Sequence, residues 1–121
     1  MIETKLLNYI KGNVPMAGGR VDFLRVPQGT ARPYITLAEV SPGRRYSLDG
    51  YSGLSTPAWR CHVWADTYPQ ARQLTDELVN AMEAWEENGV TGCRLSSRTD
   101  MKDEESGYYH VAMTFVIGYN E

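Results

Sequence analysis

Hydrophobic positions recur at two different spacings along this chain, and the switches between them mark its elements. In residues 2–11, Ile2, Leu6, Tyr9 and Ile10 fall on one helical stripe, with Glu3, Lys5, Asn8 and Lys11 mostly outside it. Gly12-Asn13 stops this helix and Pro15 opposes its continuation. After Gly18-Gly19 the period drops to two. Val21 and Phe23 alternate with charged neighbours in a short strand over residues 20–26, which Pro27-Gln28-Gly29 ends. Pro33 opens a second strand over 34–40. Alternation returns in residues 58–66, where Trp59, Cys61, Val63 and Ala65 share one face and Arg60, His62, Trp64 and Asp66 the other. Thr67-Tyr68-Pro69-Gln70 then fits a capping box with proline in the first turn. Ala71, Leu74, Leu78, Met82 and Trp85 form the buried stripe of the helix that follows, and Asn88-Gly89 stops it. Residues 93–97 read as a strand and 100–107 as a solvated turn. The closing strand, 108–119, puts Tyr109, Val111, Met113, Phe115 and Ile117 on one face.

Between the second and third strands both periods lapse. Residues 41–57 hold Pro42-Gly43, Asp49-Gly50, Ser52-Gly53 and Thr56-Pro57, all turn dipeptides. A connection of this length exceeds the roughly 12–15 residues beyond which loops in small domains are functional or disordered. Tyr46, Leu48, Tyr51 and Leu54 are too apolar for a solvated linker, so the loop is expected to protrude and meet a partner. The order α-β-β-(long loop)-β-α-β-β predicts an α+β fold: a mainly antiparallel β-sheet with two helices packed on one face, in a single domain spanning 1–121.

Composition narrows the possible functions. At 121 residues the chain has room for one domain and a core that needs no metal or disulfide staples. The formal net charge of −3 gives no general attraction to nucleic acid or anionic membrane. No apolar run approaches the roughly 20 residues of a membrane span, and the start does not resemble a signal peptide. Two distant cysteines, Cys61 and Cys93, form no disulfide framework, so synthesis in a reducing cytoplasm is expected.

The search for chemistry is mostly negative. Cys61 and His62 are strand neighbours and leave opposite faces, while Cys93 and His110 lack any metal-ligand spacing. No nucleophile elbow frames a Cys–His pair. Gly18-Gly19-Arg20 precedes a strand instead of leading from a strand into a helix, so it is no phosphate cradle. The acidic run Asp100, Asp103, Glu104 and Glu105 lacks the glycine and terminal glutamate of a calcium loop. No catalytic residue, metal or cofactor is expected. The eight tyrosines and three tryptophans suit protein–protein contacts.

Set out in order, these segments resemble the tail completion (tail terminator) family of long-tailed bacteriophages. The resemblance runs through the N-terminal helix, Gly19-Arg20-Val21, Arg32-Pro33-Tyr34-Ile35-Thr36 and Leu48-Asp49-Gly50-Tyr51-Ser52-Gly53-Leu54. Val63-Trp64-Ala65-Asp66-Thr67-Tyr68, running into Gln70-Ala71-Arg72-Gln73-Leu74, is its most specific part, and the Asp103-Glu104-Glu105 turn before the last strand also fits. The resemblance implies a structural, non-enzymatic virion protein made in the host cytoplasm. It would form a homo-oligomeric ring, commonly a hexamer, that caps the tail tube and meets a head connector or stopper, with DNA only passing through the lumen. A connector or stopper of the neck is the alternative within that world, and a small-ligand binding module the alternative outside it. Arg44, Arg45, Tyr46, Leu48, Asp49, Tyr51 and Leu54 are the candidate subunit or tube interface. The arginine pair suits pairing across a contact.

Overall fold

In the computed structural model, residues 2–25, 29, 31–41, 44–47, 50–87, 89–102 and 107–120 are described, with backbone alone for 44–47, 50–55 and 120. Helix α1 spans Ile2–Asn13, and a 3-10 turn follows at Pro15–Ala17. Strands β1 (Val21–Phe23), β2 (Tyr34–Ser41), β3 (Arg44–Ser47), β4 (Gly50–Ser55) and β5 (Ala58–Ala65) lead to helix α2 (Tyr68–Glu83). Strands β6 (Val90–Lys102) and β7 (Tyr109–Asn120) complete the order. All seven strands form one sheet, in the order β1-β2-β5-β7-β4-β3, with β6 on the other side of β7. Every pairing is antiparallel except β1 with β2. The α+β class agrees with the sequence reading, and so does the element order outside residues 41–57.

One face of the sheet carries both helices. Along β5 and β7 the residues Trp59, Cys61, Val63, Ala65, Val111, Met113, Phe115 and Ile117 point into a single dry cluster. Leu6 and Ile10 of α1 and Leu74, Leu78 and Met82 of α2 close it from above. The helices also clasp each other. The Tyr9 ring stacks on Trp85 at 4.9 Å between centroids, and its hydroxyl donates to the Ala81 carbonyl at 2.6 Å. At the start of α2 the Gln70 amide donates to Thr67 Oγ1 at 3.3 Å, and the Gln70 side chain accepts from the amide of Asp66 at 3.1 Å. The capping box therefore forms with its return bond one residue earlier than in the usual pattern.

Four boundaries differ from the sequence reading. Strand β1 ends at Phe23 because Leu24 takes a left-handed conformation, φ 65°, which breaks the extended run. Helix α2 stops before Trp85; Ala84 leaves helical geometry, with ψ 0°, and Trp85 turns in to bury its ring and donate to Glu87 Oε1. Strand β6 runs to Lys102, well past the expected end at 97, since β7 offers it a ladder from Tyr119 back to Tyr109. Its exposed outer positions hide that pairing from any reading of hydrophobic period. Most consequentially, residues 41–57 are not one irregular loop, because they include β3 and β4.

Candidate assembly interface

The expected interface residues Arg44, Arg45, Tyr46, Tyr51 and Leu54 lie on β3 and β4, whereas Leu48 and Asp49 fall outside the described residues. The pairings Leu37↔Cys61 and Ser41↔Ala58 of β2 with β5 are followed in the same antiparallel sense by Arg44↔Ser55 and Ser47↔Gly50 of β3 with β4. Strands β2–β3 and β4–β5 are therefore the two legs of one long hairpin, which turns where Ser47 and Gly50 meet. Gly50, which read as loop punctuation, is the first residue of β4 and pairs with Ser47. Interruptions at the Ser41 and Arg44 registers, where the pairing shifts, explain why no strand period survived in the sequence.

The inner half of this hairpin is locked in place. Strand β2 sits between β1 and β5, and β5 between β2 and β7. The outer half is different. β4 reaches β7 only at Leu54↔Asn120 and Ser55↔Tyr119, and β3 pairs only with β4 among the described residues. From that last support to the turn, a strand rise of about 3.3 Å per residue gives an arm of roughly 15–20 Å. An isolated two-stranded ribbon is marginal in water. The arm thus depends on little of its own subunit beyond the pairing of its two legs.

The cysteines and histidines separate as their strand positions require. Cys61 is buried in the core, and burial pushes its thiol far above the ordinary range. Cys93 packs at the edge of the core, and burial pushes it up to about 12. Neither is a ready nucleophile. His62 and His110 lie on the opposite, helix-free face and meet across β5 and β7. His62 Nδ1 and His110 Nε2 share a hydrogen bond of 2.5 Å, and Trp64 stacks on His110 at 3.9 Å with the rings 5° from parallel. Burial lowers the His62 pKa first, and the Arg60 charge lowers it further. Alternation had placed His62, Trp64 and His110 outward, but only the register His62↔Ala112 and Trp64↔His110 brings them together. Among the described residues no three His, Cys, Asp or Glu side chains converge as metal ligands, and no helix is long and apolar enough to cross a membrane.

The tail completion protein gp17 family matches residues 15–120. The chain belongs to this family. Its match covers every strand of the sheet and α2. Among solved structures, a chain from the virion of a native gene transfer agent particle has the same fold, with a TM-score of 0.69 at 14% identity, over 94% of this chain and 90% of that one. No curated protein matches in sequence. The long hairpin therefore belongs to a member of the tail completion protein gp17 family.

Proposed function

We propose that this chain is a structural protein of a phage-type virion that assembles as a closed ring, commonly of six copies, at the head-proximal end of the tail tube. The ring caps the tube, presents its other face to the head connector, and lets DNA pass through its lumen. It needs no catalysis and no cofactor. The observation that carries this reading is the outer hairpin, which among the described residues joins the rest of its own sheet at two register pairs. Membership of the tail completion family and the likeness to a virion chain support it. A net charge of −3 also suits a passage through which a polyanion must slide and not stick.

The test is a deletion. Replacing residues 44–53 with a short Gly-Ser bridge removes the arm and leaves the β4–β7 pairs, the core and both helices. The subunit is expected to fold with nearly unchanged melting and to fail in tail completion, leaving tails of uncontrolled length or tails unable to join heads. Normal, head-joined tails from the deletion would refute the reading.

A further inference from the structure

At the flank of the sheet away from β6, the start of α1, the end of β1, β2 and β5 enclose a shallow groove. Its floor includes Phe23, Leu37 and Trp59, and Glu3 and Glu39 line its rim. Two features are unusual for a finished surface. Leu24 stands 78% exposed at its edge, held at φ 65° by its amide, which donates to the Leu37 carbonyl at 2.8 Å. A branched residue in that region of backbone space is strained, and strain of this kind gathers at contact sites. The second feature is the Trp59 indole. Trp85 donates to Glu87 and Trp64 to Thr36, but the buried Trp59 Nε1 has no acceptor among the described residues. Buried polar groups without partners are rare. Neither Glu3 nor Glu39 forms an ion pair with a described residue.

We infer that this groove receives the β3–β4 hairpin of a neighbouring copy of the same chain, with Arg44 and Arg45 set against Glu3 and Glu39. The inference rests on the ring reading and supplies its missing half. A closed ring needs two different, complementary patches on each subunit. The arm is one, a basic and aromatic segment carrying Arg44-Arg45-Tyr46, Tyr51 and Leu54. The groove is the other, acidic at its rim and apolar on its floor. Each supplies what the other lacks: the arm gains an apolar surface, and the groove gains opposite charge. Arginine across an interface from carboxylates is also the pairing best suited to fix register between copies.

Two assembly-defective variants provide a decisive test. One copy carries Glu3→Lys and Glu39→Lys; the other carries Arg44→Glu and Arg45→Glu. In particles produced without the native chain, each variant alone places like charges at every junction and should lower the yield of head-joined tails at least about tenfold. Supplied together, they should restore joining, because arginine arms then meet glutamate grooves and glutamate arms meet lysine grooves around an alternating ring. Pairing within one subunit cannot produce this rescue. Circular dichroism melting checks that both variants fold. If Glu3→Lys disturbs the helix start, Glu39→Lys alone takes its place. Normal joining by either variant alone, or no rescue by the folded mixture where the native chain succeeds, overturns the inference. Failure of the native chain itself to produce head-joined tails would instead refute the ring reading beneath it.

Discussion

The two halves of the long hairpin have the same secondary structure and opposite surroundings. In the inner half, Ile35, Leu37, Trp59, Cys61 and Val63 are buried under the helices, and both legs have strands outside them. In the outer half, two legs pair with each other and, among the described residues, join the rest of the sheet ladder at Leu54 and Ser55. Ladder hydrogen bonds contribute only about 1 kcal/mol each in net terms, because water competes for them. What separates the halves is apolar burial, at roughly 25 cal/mol per Å². The inner half is therefore part of what makes the subunit fold, and the outer half can be spent on a neighbour without endangering it.

The sharpest way to break this contrast is to damage the inner side. Phe115 is fully buried beneath the helices and pairs with Trp59 across the strands. Phe115→Ala should lower unfolding free energy by about 3–5 kcal/mol, the usual cost of a large aromatic cavity. Urea titration checks this; a loss under about 1 kcal/mol would show that the core is less tightly filled than its burial implies.

The next effect is smaller and depends on pH. The ordinary histidine pKa is about 6.5, and His62 lies below it in the folded chain, through burial first and Arg60 second. The unfolded chain therefore takes up this proton at a higher pH than the folded one. Stability from this group is complete above about pH 6.5 and declines as pH falls toward the folded value. The 2.5 Å bond adds to the effect, since one ring nitrogen must donate and the other accept. Across that window, Tm should fall more steeply for the native chain than for His62→Gln. Parallel curves would contradict the assignment.

Removing the cap should cost less than removing Phe115. Thr67→Ala deletes the oxygen that accepts from Gln70, for about 1 kcal/mol by thermal melting. The smallest stability change belongs to the arm. Arg44→Glu with Arg45→Glu should stay within about 0.5 kcal/mol of the native chain, if the arm adds little to the subunit's own folding. Yet this pair should block tail completion, whereas Thr67→Ala should leave it intact. That inversion, a small stability effect with a large assembly effect, is what the contrast between the halves predicts.

The same contrast explains what the sequence could reveal. Where burial is continuous, periodicity follows it: the Leu74, Leu78, Met82 stripe and the odd-numbered residues of β5 and β7 are read directly and are found in the core. Where an element is exposed, the signal fades. Strand β6 past 97 bears Arg98, Asp100 and Lys102 and owes its conformation to β7, a partner that no local pattern names. The arm failed for a related reason. Its glycines and its Asp49-Gly50 and Ser52-Gly53 dipeptides read as loop chemistry until the pairing of β3 with β4 is known. The histidine pair and the Trp59 groove were out of reach, because both depend on register across strands far apart in sequence. Family resemblance carried the functional reading further than periodicity could, and the match over residues 15–120 agrees with it.

The central claim is that the outer hairpin is finished by assembly and not by folding. Backbone hydrogen exchange over residues 44–55, compared between the isolated subunit and completed tails, tests it most directly. These amides should exchange orders of magnitude faster than those of β5 and β7 in the isolated subunit, and should become protected in completed tails. Equal protection of residues 44–55 in both states would show that the arm is already complete within one subunit, and would contradict the account.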